Sequence, residues 1–173
     1  MELLKQRILQ EGKNLGKGIL KVDRFINHQV DPNLMDACGA EFARIFKGTR
    51  AVKILTAEIS GIAPALMAGK YLNLPVVYAR KKKPVTMPSE VYITVAPSHT
   101  KGINVELIVS PEYLGKEPIL IIDDFLASGQ TIVGLVRLAE VAGAELLGIG
   151  TLVEKTFEGG REQIGRASCR ERV

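Results

Sequence analysis

Four apolar residues in an unbroken run, Ile119-Leu120-Ile121-Ile122, are followed at once by Asp123 and Asp124. A continuous β-branched and leucine run of this kind reads as a strand buried on both faces, with the two carboxylates at its carboxyl end. Small residues follow, and then Ile132, Leu135, Val136, Leu138, Ala139 and Ala142 recur at helical spacing, with Thr131 or Ser128 as the expected cap. Elsewhere, Leu3, Leu4, Ile8 and Leu9 mark an opening amphipathic helix ending near Gly12 or Gly16. Asp31-Pro32 reads as N-cap and first residue of a helix that Gly48 closes, with Leu34, Met35, Cys38, Phe42, Ile45 and Phe46 on one face. Ala51–Ala57 is a predicted strand running through Glu58-Ile59-Ser60-Gly61 into a helix of small residues that reaches about Tyr71. Further strands are expected at Pro75–Ala79, Val91–Val95, Val105–Val109 and Leu146–Val153, and an aperiodic charged loop at Lys81–Ser89. Strands alternating with helices predict an α/β fold: a doubly wound, mostly parallel sheet covered on both faces.

Bulk properties narrow the class. A chain of 173 residues without a polar linker is expected to form one domain, here residues 1–164, and to bury ~70% of its unfolded surface. No apolar run approaches the ~20 residues that span a bilayer. Charges at Glu2, Lys5 and Arg7 occupy the place of a signal peptide's apolar core, which points to the cytoplasm. Cys38 and Cys169 lack metal-ligand spacing, and Cys38 reads as a small core residue. The net charge of +4 resides largely in Arg80-Lys81-Lys82-Lys83 and in Arg161–Arg172. With no base-reading helix or interleaved aromatics beside them, these clusters argue against nucleic acid as a partner.

The chemistry concentrates after the apolar run. A helix opening at Ala127-Ser128-Gly129-Gln130-Thr131 offers unpaired backbone N–H groups, a dipole and two hydroxyls to an anion. The two acids beside it can accept hydrogen bonds from vicinal hydroxyls or approach a hydrated divalent cation. A ribose 5-phosphate carries both complements. Other phosphate signatures are absent: Gly148-Ile149-Gly150 lacks a third glycine, and neither Gly16-Lys17 nor Gly69-Lys70 has P-loop spacing.

This stretch resembles the signature of the type I phosphoribosyltransferases, which bind 5-phosphoribosyl 1-pyrophosphate (PRPP). The resemblance implies that Asp123 and Asp124 hold the ribose hydroxyls and that Ala127, Ser128, Gly129, Gln130 and Thr131 hold the 5-phosphate. Glu58, Ile59, Ser60 and Gly61 resemble the family's short pyrophosphate loop. Arg80 opens a segment that in such enzymes closes over the pyrophosphate, with Ser98, Thr100 and Lys101 facing phosphate; His99 reads as a bystander. Residues 1–30 and 154–164 correspond to a small hood over the base. The spacing of Leu20 and Asn27, with Val153-Glu154-Lys155-Thr156-Phe157, is similar to bacterial xanthine phosphoribosyltransferases, which implies base contacts from Leu20, Asn27, Lys155 and Phe125. It further implies Mg²⁺ held mainly by PRPP near Asp123 and Asp124, a homodimer, and conversion of xanthine to xanthosine 5′-monophosphate. The alternatives are a hypoxanthine/guanine or adenine enzyme of the same fold, or a PRPP-sensing regulator. Residues 165–173 match neither a strand nor an amphipathic helix, and are expected to be an altered or truncated tail.

Overall fold

The computed structural model describes residues 1–97 and 104–168. Its centre is a parallel sheet of four strands: β3 (Lys53–Ala57), β4 (Val76–Ala79), β7 (Pro118–Leu126) and β8 (Glu145–Glu154), in the order β4-β3-β7-β8. A minor ribbon, β1 (Lys13–Asn14) with β2 (Leu20–Lys21), precedes the sheet, and β5 (Tyr92–Pro97) pairs antiparallel with β6 (Asn104–Val109). The β5–β6 hairpin attaches to the end of β4 where Arg80 and Ile108 exchange two backbone hydrogen bonds of 2.8 Å.

The apolar run of β7 is buried on both faces, as its composition dictates. Ile119 and Ile121 join a cluster with Ile132, Leu135 and Val136 of helix α4 (Gln130–Ala142). Leu120 and Ile122 instead join Phe42 of α2 (Pro32–Ile45) and Ala65 and Ala68 of α3 (Ile62–Leu72). Both crossovers set out from the middle of the sheet. β3-α3-β4 runs one way and β7-α4-β8 the other, so their helices cover opposite faces. A crevice opens between the carboxyl ends of β3 and β7, the usual place for a ligand in such sheets. The N-terminal segment expected as a hood contributes a separate apolar cluster of Leu4 from α1 (Glu2–Glu11), Val22, Phe25 and Ile26, closed by Leu34, Met35 and Cys38 of α2.

Several boundaries follow the pattern closely. Asp31 caps α2 through Oδ1, which accepts from the amides of Asn33 (3.0 Å) and Leu34 (3.1 Å), with Pro32 in the first turn. Others depart from it. α4 begins after Gly129, at φ +82°, with no side-chain cap, so neither Thr131 nor Ser128 serves that role. Ile45 is 55% exposed at the end of α2, whereas the next residue, Phe46, packs on the Leu120 and Ile122 side of the sheet. The C-terminal segment is helical as α5 (Gly160–Ser168), with Ile164 packed on the α4 cluster, although its sequence pattern predicts no element for Gly165–Ser168. Among the described residues no helix is long and apolar enough to cross a membrane.

Candidate functional site

β7 does not stop at its apolar run. β3 pairs with it only as far as Leu55↔Ile121, but the longer β8 stays paired through Phe125↔Val153 and Leu126↔Glu154. Asp123 and Asp124 therefore lie on a strand held on one side and open on the other. The open side is filled by the turn after β3. A side chain at Gly61 would overlap Asp123 Oδ1 and come within 2.5 Å of Thr56 Oγ1, so only glycine lets this turn close over the acid. The lack of a side chain there serves packing on Asp123 as much as any ligand.

Asp123 is only 4% exposed, and its Oδ1 accepts from the Asp124 amide at 3.0 Å. Burial, with the neighbouring Asp124 charge, pushes its pKa well above the ordinary value; burial also raises that of Asp124. The nearby Lys81 ammonium opposes both shifts. Thr56, fully buried next to Asp123, has a hydroxyl without a partner among the described residues. Sequence pattern alone does not mark Thr56, since it reads as one more strand residue.

Around this pair lies a cavity of about 610 Å³. Two amide-rich turns border it. Glu58–Gly61 forms one, where the Glu58–Ile59 peptide is cis, and Ala127–Thr131 forms the other. The first amides of α4 have no intrahelical acceptor, so they add to the free donors at that end. The cavity thus presents two turns with backbone amides on either side of two carboxylates.

The expected site residues divide as follows. Asp123, Asp124, Phe125, Ala127, Ser128, Gly129, Gln130, Thr131, Glu58, Ile59, Ser60, Gly61 and Lys155 all line the cavity. Arg80 does not. Its Nε pairs with Glu58 Oε2 at 3.0 Å, while Glu58 Oε1 accepts the Lys81 amide at 2.6 Å. The Glu58 carboxylate therefore anchors the strand end, and Lys81 rather than Arg80 faces the cavity. Leu20 and Asn27 do not line it either. Leu20 is half-buried on the hood cluster and Asn27 is exposed at the end of a short helical turn. Their place is taken by Lys17, Gly18 and Ile19. Ser98, His99, Thr100 and Lys101 lie outside the described residues.

At the hood end, Lys155 Nζ sits 3.3 Å from Glu158 Oε1 and 6.0 Å from the Phe125 ring centroid. Phe157 and Glu158 complete that wall, with the Phe157 ring 2.8 Å from where a Gly18 side chain would stand. Gly129 abuts Gly160, a further residue that the sequence pattern does not mark: a Cβ on Gly129 would lie 3.0 Å from the Gly160 carbonyl oxygen. With φ +82° as well, Gly129→Val is expected to lower thermal stability and phosphate affinity together, with backbone strain alone of ~1–3 kcal/mol. Thermal melts beside calorimetric titration with PRPP check this; a variant with parental melting and affinity would show that the turn tolerates a side chain.

A doubly wound sheet with two acids between two turns at its switch point is here the architecture of a transferase. The chain belongs to the phosphoribosyl transferase domain family, which matches residues 31–172. It is 48% identical over 165 residues to the xanthine phosphoribosyltransferase of Latilactobacillus sakei, covering 95% of this chain and 85% of that protein. The xanthine phosphoribosyltransferase of Moorella thermoacetica is 50% identical over 165 residues, covering 95% and 84% respectively. Among solved structures, adenine phosphoribosyltransferase from Thermoanaerobacter pseudethanolicus superposes with a TM-score of 0.78 at 25% identity, over 94% of this chain and 92% of that one. The Giardia lamblia enzyme complexed with 9-deazaadenine gives 0.75 at 22%, over 96% and 93%, a likeness of fold.

Proposed function

We propose that this protein is a xanthine phosphoribosyltransferase of purine salvage, joining xanthine to PRPP to give xanthosine 5′-monophosphate and pyrophosphate. The observation that carries the reading is the Asp123–Asp124 pair, with Asp123 buried and Asp124 half-buried, set between two turns of backbone amides in one cavity, in a chain about half identical to relatives of that name. A purine ring nitrogen attacks the anomeric carbon as the bond to pyrophosphate breaks, and the ring N–H proton is released. In this reading Asp123 and Asp124 accept hydrogen bonds from the ribose hydroxyls. The amides of Ala127–Thr131 bind the 5-phosphate, and those of Ile59–Gly61, with Lys81, bind the pyrophosphate. Lys155 donates to a purine oxo group, with Phe125 against the ring. Positioning and charge neutralisation supply the acceleration, and no protein nucleophile is required.

Two carboxylates are a fitting donor set for Mg²⁺, which is held by one or two such groups plus substrate phosphates and keeps its own water. In this reading the ion is carried mainly by PRPP, near Asp123 and Asp124. When bound, the ion offsets the charge of the departing pyrophosphate. A homodimer belongs to the same proposal: Leu66, Tyr71 and Tyr78 leave large apolar side chains exposed that a second copy would cover. Light scattering at twice the chain mass supports it, and a monomer at micromolar concentration removes it.

Adenine is the competing base, favoured by the fold likeness to adenine enzymes. Product formation from PRPP with xanthine, guanine, hypoxanthine and adenine decides between them. PRPP binding without turnover on any purine supports a regulator instead. Lys155→Met tests the base site. A hydrogen bond to a charged group contributes ~1.5–3 kcal/mol, so kcat/KM for xanthine should fall roughly tenfold or more while PRPP affinity stays near parental. If the variant handles xanthine as well as the parent, Lys155 has no part in base binding.

A further inference from the structure

We infer that Glu158 is a specificity-determining residue, its carboxylate accepting the N1–H of a 6-oxopurine while Lys155 takes the adjacent oxo group. The inference rests on the purine reading above and deepens it. Both side chains line the cavity, and both are largely withdrawn from solvent, with 20% of Lys155 and 29% of Glu158 exposed. Their charged atoms stand 3.3 Å apart, so the wall presents a donor directly beside an acceptor. Phe125 flanks the ammonium at 6.0 Å, and the Lys17–Ile19 segment closes the outer side against Phe157.

A purine with a 6-oxo group presents the complement along one edge: an acceptor at C6 and, next to it, a donor at N1. Lys155 carries three donors and no acceptor, whereas an ionised Glu158 carries acceptors only. Xanthine, hypoxanthine and guanine all match this pair. Adenine reverses it, with an amino donor at C6 and a bare nitrogen acceptor at N1. Donor then meets donor and acceptor meets acceptor, which is discrimination by repulsion as well as by attraction. Lys155 alone would reward an oxo group; the pair reads oxo and N–H together. The ion pair also keeps the ammonium oriented in the free protein, so no side chain need be recruited when the base arrives.

The experiment compares xanthine with 1-methylxanthine, which keeps both oxo groups and carries a methyl group in place of the N1–H, and adds adenine as the reversed edge that needs no added bulk. kcat/KM is measured for each with the parent, Glu158→Ala and Glu158→Gln at saturating PRPP. The parent should prefer xanthine over 1-methylxanthine by about tenfold or more, the scale of one hydrogen bond to a charged group. Glu158→Ala should lose most of that preference and narrow the gap to adenine. Glu158→Gln keeps an acceptor oxygen and should retain a large part of the preference. A merely supporting role, in which Glu158 only steadies Lys155, would lower the rates of all purines together and leave the ratio unmoved; that result overturns the inference, as does a parent that uses both xanthines equally. Absence of nucleotide formation from every purine overturns the purine reading itself, a failure distinct from an unchanged ratio.

Discussion

Replacing Asp123 by Asn is expected to raise the melting temperature at neutral pH while nearly abolishing product formation. The two effects share one cause. Burial, and then like-charge repulsion from the second carboxylate, disfavour the charged form of an acid that is only 4% exposed. Its folded pKa is therefore raised above the ordinary 3.8, and the folded state binds the proton more tightly than the unfolded chain does. The sign follows: the contribution of this group to stability is fully present below about pH 3.8 and is lost as pH rises through the folded pKa. At neutral pH the parent carries that cost, and a neutral amide of the same shape removes it. The gain in melting temperature should shrink steadily as the pH of the melt is lowered toward 4. Catalysis moves the other way, because removing one placed electrostatic contact costs ~2–4 kcal/mol in the transition state, or about 10²–10³ in kcat. Scanning calorimetry across pH, beside steady-state rates, checks both. Retention of more than half the activity would remove Asp123 from the reaction, and a fall in melting temperature at neutral pH would mean that its charge is already compensated in the fold.

Such a site was legible in the sequence to the extent that its signals are local. The apolar run of β7, the spacing of Ile132 to Ala142 in α4 and the Asp31-Pro32 start of α2 all depend on neighbours a few residues away, and all three are where the pattern puts them. The Ala127–Thr131 turn is local too. What escaped depends on through-space partners. β7 runs on to Leu126 because β8 is long enough to stay paired with it, which no period in β7 records. Glu58 has the identity and position of a ligand-binding acid, but Arg80 and the Lys81 amide, brought alongside by β4, hold its carboxylate. Ile19 rather than Leu20 reaches the cavity because Leu20 belongs to the short β2 ribbon and turns onto the hood core. Gly160 carries no motif at all, and its importance comes entirely from the turn it touches.

That contact gives the second large effect. Gly160 is buried at the start of α5, where a Cβ would overlap the Ala127 carbonyl oxygen and stand 2.7 Å from Leu126 Cδ1 and 3.0 Å from the Gly129 amide nitrogen. Its backbone is not left-handed, so alanine is acceptable to the chain itself and only the space is contested. α5 cannot easily yield, because Arg161 makes a two-pronged ion pair with Glu154 on β8 and Ile164 packs on the α4 cluster. The 127–131 turn must give way instead, and with it the amides proposed for the 5-phosphate. A shift of about 1 Å in a binding group can cost ~10²-fold, so Gly160→Ala should lower kcat/KM for PRPP on that order. Gly159→Ala is the control. Its φ of +72° makes alanine strained, but a Cβ there meets nothing within 4 Å, so stability should fall while PRPP kinetics stay near parental. Were Gly160→Ala to keep parental PRPP kinetics, the turn would not depend on α5 for its position, and the close backbone approach of Gly160 to Ala127 and Gly129 would serve packing alone.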